Sequence, residues 1–273
     1  MPAYDFEGQV AFVTGGGRGQ GRSHAQHYAR HGADVVVTDI CENVETNPYD
    51  LSTSDDLAET ASLVEAEGQE ALTVEMDVRK EAEVEAAVEE ALDEFGRIDI
   101  LANNAGIFNA ADMTEMPEQQ WDEMIDTNLK GVWLCAKHVG KHFIDRGDGG
   151  KIVSTSSAAG LVGTPSAGHY VATKHGVIGL TKTLALELAE YDVNVNAVCP
   201  TGVHTQMIAG FSEAYGEELM EEMGAFSGPW SVFEGVEMID SEDISEAYMW
   251  LSSDAARYVT GIALPVDAGM TAK

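Results

Sequence analysis

Short apolar runs alternate with longer helical patterns along the chain, and this alternation restricts the fold more than any other feature. Seven runs are predicted as strands, at residues 9–13, 34–38, 71–76, 98–102, 151–154, 193–198 and 262–265. The helical patterns between them cover residues 22–30, 57–67, 82–95, 119–146, 170–190 and 244–251. Strands and helices that alternate at this spacing form a parallel sheet with helices on both faces. The predicted fold class is therefore α/β, with a doubly wound parallel sheet in a single domain over residues 1–273.

Two stretches interrupt the alternation. Residues 41–54 form a polar insertion, which either folds over a neighbouring site or is a tolerated surface excursion. Residues 204–243 are too long for an ordinary connection and are predicted to form a loop that acts as a substrate lid. Its apolar side chains either line a pocket or pack on the sheet. They include Met207, Phe211, Met223, Phe226, Trp230 and Phe233.

The charge of the chain excludes several kinds of partner. With 47 acidic and 15 basic residues, the formal net charge is −32. Nucleic acid and anionic membranes are therefore not expected to bind. The densest acidic stretch, residues 81–94, has apolar residues at helical spacing, so its carboxylates are expected on the outer face of an amphipathic helix. Because molar salt screens the self-repulsion of such a chain, we predict a protein from a halophile.

The cysteines and the lack of long apolar runs indicate a cytoplasmic location. Cys41, Cys135 and Cys199 lie far apart and lack the spacing of zinc ligands or of a disulfide framework, so no metal site is expected. No run of 18 apolar residues predicts a transmembrane helix, and residues 1–8 lack the features of a signal peptide.

A glycine-rich segment between the first predicted strand and helix is typical of a Rossmann-like dinucleotide site. Within residues 14–21, Gly15, Gly19 and Gly21 allow a tight turn and a close approach to a pyrophosphate at the helix N-terminus. Asp39 ends the second predicted strand, where a ribose-binding acid is expected. Its carboxylate would accept hydrogen bonds from the adenosine 2′-hydroxyl and repel a 2′-phosphate, which favours NAD over NADP. Alternatively, Asp39 only caps the strand end.

A tyrosine and a lysine four residues apart are candidates for proton transfer. Tyr170 and Lys174 lie on one face of a predicted helix. A tyrosine is a poor base because its ordinary pKa is near 10, but a neighbouring ammonium and a positively charged nicotinamide both favour the phenolate. Such a pair can take a proton from an alcohol while hydride leaves the alcohol carbon.

In order and spacing, these motifs resemble the short-chain dehydrogenase/reductase family over nearly the whole chain. Residues 14–21 match the family's TGxxxGxG, residues 77–78 its adenine-contact pair, residues 103–106 its NNAG, residues 170–174 its YxxxK, and residues 200–202 its PG segment with a threonine inserted. The resemblance implies an oxidoreductase with the fold predicted above.

The resemblance also implies residue roles. Tyr170 is the acid/base, and Lys174 binds the nicotinamide ribose and lowers the tyrosine pKa. Ser157 polarises the substrate oxygen, with Ser156 as the competing candidate. Asn128 holds a water of the proton relay, makes a hydrogen bond at a helix kink, or does both. The implied cofactor-binding residues are Gly15, Arg18, Gly19, Gln20, Gly21, Asp39, Ile40, Asp77, Val78, Asn104, Ala105, Gly106, Tyr170, Lys174, Pro200, Val203 and Thr205.

A closer resemblance points to the carveol-dehydrogenase-like branch of the family. It rests on residues 18–25, on residues 39–41 followed by the insertion, on residues 169–176 and on residues 258–261. That branch is associated with mycofactocin, a peptide-derived redox carrier, and is similar to nicotinoproteins, which hold NAD(H) without exchanging it. The resemblance implies tightly bound NAD(H), a mycofactocin-type redox partner and an insertion folded over the cofactor. Because the family is commonly tetrameric, it also implies a homotetramer.

The predicted function is the NAD-dependent interconversion of a hydrophobic secondary alcohol and its ketone. One alternative is an NADPH-dependent 3-oxoacyl-type ketoreductase, which Asp39 disfavours. Another is a non-catalytic NAD-sensing protein, which is disfavoured because Ser157, Tyr170 and Lys174 are all present. Nucleotide-sugar epimerases and dehydratases share the fold and YxxxK, but usually show GxxGxxG and a longer C-terminal domain.

Overall fold

A single parallel sheet organises the computed structural model, which describes residues 4–227 and 231–272, without the side chains of residues 217, 218, 220–222 and 224–227. Within these residues the strands are β1 (Val10–Thr14), β2 (Asp34–Asp39), β3 (Ala71–Glu75), β4 (Ile100–Asn103), β5 (Gly150–Thr155), β6 (Val193–Pro200) and β7 (Ala263–Val266). Their spatial order is β3-β2-β1-β4-β5-β6-β7, and every neighbouring pair is parallel. The predicted doubly wound α/β fold is confirmed.

The helices in the described residues cover both faces of the sheet. They are α1 (Gly19–Arg30), α2 (Ser54–Ala66), α3 (Glu81–Phe95), α4 (Glu118–Ile125), α5 (Gly131–Arg146), α6 (Gly168–Glu187), α7 (Gln206–Ser227) and α8 (Ser241–Ser252). A π-helical segment, Asp126–Lys130, joins α4 to α5. Short 3₁₀ turns occur at Ala158–Gly160, Ala189–Tyr191 and Asp254–Ala256.

Two apolar cores lie on opposite faces of the sheet, because successive strand residues point to opposite sides. Phe12 packs with Leu101 in the core that contains residues of α3 and α5. Ala11 packs with Ile100 in the core that contains residues of α1 and α8. Since both faces are covered, β1 is buried at all five positions and reads as an uninterrupted apolar run ending in a threonine.

The prediction of a loop over residues 204–243 is wrong for residues 206–227, because these residues form α7. Apolar residues recur there every four positions, at Met207, Phe211, Tyr215, Leu219 and Met223, and none of them is exposed. This period suits one buried stripe of a helix. The helix kinks at Gly216, whose φ of 78° lies in the left-handed region that favours glycine.

The acidic stretch forms the amphipathic helix that its pattern predicts. In α3 the side chains of Val84, Ala87, Val88 and Ala91 are buried, whereas most of the carboxylates are exposed. The charge is therefore concentrated in solvent, where salt screens it. Among the described helices, none is long and apolar enough to cross a membrane.

We predict that KCl raises the melting temperature of this protein. Between about 0.1 M and about 1 M salt, the screening length falls from about 10 Å to about 3 Å, which weakens repulsion among the surface carboxylates. Ion pairs such as Arg30–Glu67 are weakened by the same salt, but acidic residues outnumber basic ones threefold. Differential scanning calorimetry at the two salt concentrations measures the effect, and equal or lower stability at high salt would contradict it.

Candidate active site

A cavity lies at the carboxyl edge of the sheet, where the strand order reverses between β1 and β4. In doubly wound sheets, ligands bind at this switch point. Every predicted cofactor-binding residue lines the cavity except Gly21, Pro200 and Val203. Residues that lie almost 200 positions apart in the sequence thus line one crevice, as the motif spacing predicts.

The glycines of the loop between β1 and α1 are required by close approaches. Gly15 has a φ of +65°, and a Cβ there would lie 2.7 Å from the Cα of Ala105. Gly21 does not line the cavity, because it packs against the loop itself: a Cβ there would lie 2.0 Å from the carbonyl oxygen of Gly15. No acidic residue occupies the first turn of α1, so its N-terminus remains favourable for an anion.

Asp39 links three segments around the cavity. Its Oδ2 accepts hydrogen bonds from the backbone N–H of Gly17 at 2.9 Å and from the hydroxyl of Ser52 at 3.1 Å. Its Oδ1 accepts from the backbone N–H of Ile40 at 2.9 Å. Asp39 therefore does cap the end of β2, but it also presents a carboxylate to the cavity and joins the glycine-rich loop to the insertion.

Asp77 is held by a neighbour that the sequence did not suggest. The guanidinium of Arg79 donates to both carboxylate oxygens, with Nε 2.8 Å from Oδ1 and Nη2 2.7 Å from Oδ2. Burial by itself would raise the pKa of Asp77, but the hydrogen bonds and charge of Arg79 outweigh it and leave the pKa below its usual range. Both residues line the cavity.

The insertion at residues 41–54 forms part of the cavity wall and is not a surface excursion. Val44, Tyr49, Leu51 and Ser52 line the cavity. Two sets of hydrogen bonds hold this segment. The N–H and hydroxyl of Thr46 donate to Glu123 Oε2 at 3.0 and 2.6 Å, and the backbone N–H of Phe108 donates to the Tyr49 hydroxyl at 3.1 Å. Arg18, at the start of α1, also donates to the carbonyl of Asp50.

Tyr170 and Lys174 lie side by side on α6, as predicted. The ammonium nitrogen of Lys174 is 5.4 Å from the centroid of the Tyr170 ring and donates to the carbonyl of Thr155 at 2.8 Å. Burial lowers the pKa of Lys174 to about 8. Burial also raises the pKa of Tyr170 to about 12, against the opposing effect of a hydrogen bond with Ser157. Desolvation dominates the pKa of Tyr170 in the protein alone, and the lowering of this pKa by Lys174 stays a prediction.

Of the two candidate serines, Ser157 is the one that faces Tyr170. Ser157 lines a second cavity together with Tyr170. Ser156 is buried, and its hydroxyl donates at 2.9 Å to the backbone carbonyl of Lys174, so it is committed to holding α6.

Asn128, Pro200 and Val203 are further predicted residues that do not line the first cavity. The side chain of Asn128, in the π-helical segment, donates to the carbonyl of Ile107 and accepts from its N–H, both at 2.8 Å. Asn128 thus makes the expected structural hydrogen bond, and its role in holding a relay water stays a prediction. Pro200 lines the second cavity, and Val203 is buried and bridged to Ile239.

The second cavity is mostly apolar and adjoins the first at Tyr170 and Met207, which line both. Met223 also lines it, whereas Phe211 is buried in an aromatic cluster against Phe108. Of the other predicted lid residues, Phe233 is exposed. The side chain of Phe226 and all of Trp230 lie outside the described residues.

Several cavity residues were not predicted. Tyr49, Ser52 and Arg79 sit in segments without a motif, and no local signal identifies them. Thr155 lies in the serine-rich strand end that the sequence does single out, but its contribution is a backbone carbonyl, which residue type does not reveal.

The glycine-rich loop at the N-terminus of α1 and the cluster of Ser157, Tyr170 and Lys174 define an enzyme that oxidises alcohols or reduces carbonyl groups. The model of the short chain dehydrogenase family matches residues 9–216. The chain belongs to this family.

Relatives match the chain over nearly its full length. It is 43% identical to the (−)-trans-carveol dehydrogenase of Rhodococcus erythropolis, covering 98% of this chain and 99% of the relative. The crystal structure of carveol dehydrogenase from Mycobacterium avium in complex with NAD is 40% identical, with a TM-score of 0.91, and covers 99% of this chain and 100% of that one. A 3-oxoacyl-(acyl-carrier-protein) reductase of Staphylococcus epidermidis is 37% identical over 95% of this chain and 98% of its own length.

We predict that Gly15→Ala destabilises the protein more than Gly96→Ala. Both glycines have a left-handed φ, +65° and +73°, so each alanine costs about 1 kcal/mol of backbone strain. Only the Cβ at residue 15 also meets neighbouring backbone, since nothing lies within 4 Å of one at residue 96. Urea unfolding measures both losses of free energy, and equal losses would show that the loop is not closely packed on Ala105.

Proposed function

We propose that this protein is an NAD(H)-dependent oxidoreductase that interconverts a hydrophobic secondary alcohol and its ketone. The observation that carries the proposal is the meeting of two cavities at Tyr170, one lined by the glycine-rich loop and Asp39, the other mostly apolar. A tyrosine hydroxyl at such a junction can exchange a proton with a substrate oxygen beside a bound dinucleotide.

The residues around the first cavity suit NAD(H). Gly15 leaves no room for a Cβ beside Ala105, and the first turn of α1 carries no acid that would repel a pyrophosphate. The Asp39 carboxylate faces the cavity and would accept hydrogen bonds from a ribose hydroxyl while repelling a 2′-phosphate. The relative from Mycobacterium avium is described in complex with NAD, which supports the same assignment.

Ser157, Tyr170 and Lys174 have different roles in the proposed proton transfer. When bound, the nicotinamide supplies the hydride acceptor or donor. Ser157 can donate a hydrogen bond to the substrate oxygen, since it lines the substrate side with Tyr170. Burial keeps Tyr170 protonated in the protein alone, so its hydroxyl can protonate a ketone oxygen in reduction and take the proton back in oxidation. The Lys174 ammonium donates one hydrogen bond to the Thr155 carbonyl. Lys174 also lines the cofactor cavity, where it can bind a ribose.

The second cavity supports a hydrophobic substrate. Apolar side chains make most of its wall, chiefly methionines and alanines together with Phe108, Pro200 and Ile208, and such walls favour apolar ligands with a few polar contacts. The similarity to (−)-trans-carveol dehydrogenase agrees with a secondary alcohol of this kind. The similarity to a 3-oxoacyl reductase keeps an NADPH-dependent ketoreductase as the second candidate, against which Asp39 argues. A non-catalytic NAD sensor is disfavoured by the intact Ser157, Tyr170 and Lys174.

The insertion supports slow exchange of the cofactor, as in a nicotinoprotein. Its residues form a wall of the cofactor cavity and are tied to α4 through Glu123 and to the segment after β4 through Phe108. Opening this wall requires breaking those hydrogen bonds, which would slow release. An enzyme that keeps its NAD(H) needs an external redox carrier, and a mycofactocin-type partner is the one proposed.

Other features of the proposed protein are a halophilic, cytoplasmic origin and a homotetramer. The net charge of −32 supports a halophilic origin. Exposed Trp121 and Trp133, on α4 and α5, support an interface between copies, because large exposed aromatic side chains are enriched at interfaces. Light scattering in molar KCl tests the assembly, and a monomer would exclude it.

We predict that Tyr170→Phe abolishes turnover but preserves NADH binding. Removing the hydroxyl eliminates the proton donor and acceptor, and general acid–base catalysis contributes roughly 10² to 10⁴-fold. Turnover of a panel of secondary alcohols and quenching of protein fluorescence by NADH give the two readouts. Full activity of the variant would refute the proposed role, and loss of NADH binding would show that the Tyr170 hydroxyl is needed for the cofactor site itself.

A further inference from the structure

Thr155 connects the catalytic lysine to a tyrosine in the core. It is the last residue of β5 and is buried. Its carbonyl oxygen accepts from the Lys174 ammonium at 2.8 Å. Its hydroxyl oxygen lies 2.6 Å from the hydroxyl of Tyr248, on α8. Tyr248 is fully buried and lines neither cavity, so it contacts neither ligand directly.

The direction of these hydrogen bonds follows from the donors available. The side-chain amide of Asn104 donates to the carbonyls of Thr14 and Gly15 at 3.1 and 3.2 Å, so its Oδ1 is left as an acceptor. The Thr155 hydroxyl lies 3.2 Å from that oxygen and donates a hydrogen bond to it, which uses the only proton of the hydroxyl. The Tyr248 hydroxyl must therefore donate to Thr155, which completes a connected set from α8 to the glycine-rich loop.

The ring of Tyr248 is held in place from the opposite side. It stacks on His24 of α1, with centroids 4.0 Å apart and planes at 22°. The Nδ1 of His24 is in turn 2.8 Å from the hydroxyl of Ser245, one turn before Tyr248. Burial lowers the pKa of His24 to about 3, so the ring is neutral and the stack is unaffected by pH near neutrality.

We propose that Tyr248 is a positioning residue for the proposed dehydrogenase reaction: its hydroxyl fixes the end of β5 at Thr155, and the Thr155 carbonyl thereby sets where the Lys174 ammonium lies. The proposal rests on the proposed function, because it assigns a purpose to the placement of Lys174. An ammonium with one proton held by a carbonyl keeps its other donors in a defined direction. A catalytic group misplaced by about 1 Å can cost about 10²-fold in rate.

Tyr248→Phe tests the proposal against a matched control, Tyr28→Phe. Tyr28 is also fully buried, in the same core, and its hydroxyl lies 2.9 Å from that of Ser252 instead of Thr155. Each variant removes one buried phenolic hydroxyl and keeps the ring. We expect both to lose similar thermal stability, but only Tyr248→Phe to lose kcat, by about tenfold with KM within about twofold. Equal kcat in the two variants would overturn the proposal.

A double-mutant cycle tests whether the effect passes through Thr155. In a Thr155→Val background the hydroxyl partner is gone, so Tyr248→Phe is expected to lower kcat by less than about twofold further. A full additional tenfold loss would mean that Tyr248 acts by another route and would overturn the proposal.

Hydrogen–deuterium exchange of the protein without added ligands gives a readout that does not depend on activity. We expect peptides spanning residues 150–157 to exchange faster in Tyr248→Phe than in wild type or Tyr28→Phe. Unchanged exchange there would overturn the proposal. Absence of turnover in the wild type with both NAD(H) and an artificial electron acceptor would instead refute the proposed function, and the exchange result would still decide whether Tyr248 fixes this strand end.

Discussion

The parallel pairing of β1 with β4 is the constraint on which the site depends. Ala11, Phe12 and Val13 lie opposite Ile100, Leu101 and Ala102, so the segments that follow these strands leave the sheet at the same edge. Because the chain turns to opposite sides of the sheet after β1 and after β4, a crevice opens between the loops. Gly15 and Ala105 then meet across it at a distance that excludes a side chain on the glycine. The same edge receives the end of β5, where Thr155 holds Lys174.

Burial affects the charged and titratable side chains that line this crevice. In a chain with a net charge of −32, three cationic side chains line the cofactor cavity: Arg18, Arg79 and Lys174. Each of them is tied to an oxygen atom of its surroundings: Arg18 to the Asp50 carbonyl, Arg79 to Asp77 and Lys174 to the Thr155 carbonyl. These contacts offset the cost of removing the cations from water. Tyr170 and Lys174 also show the effect of desolvation, which shifts the pKa of each towards its neutral form.

The sequence predicts those parts of the molecule that depend on local patterns. The strands, the glycine-rich loop and the spacing of Tyr170 and Lys174 are short-range features, and the structure has them as predicted. The sequence does not predict helix α7, because acidic residues and three glycines, Gly210, Gly216 and Gly224, obscure its four-residue apolar period. The role of Thr155 could not be predicted, since its hydroxyl partner Tyr248 is 93 residues away and its carbonyl belongs to the backbone. The placement of the insertion depends likewise on Glu123, 77 residues from Thr46.

We infer that a dinucleotide is enclosed between the glycine-rich loop, Asp39 and the insertion, and that this dinucleotide is NAD(H). The most direct test is to purify the protein in molar KCl without added nucleotide, denature it, and identify what is released by mass spectrometry. We predict about one NAD(H) per chain, because the insertion forms part of the cavity wall and the Asp39 carboxylate would repel a 2′-phosphate. Release of NADP(H) would contradict the assignment of Asp39, and protein free of nucleotide would contradict retention by the insertion.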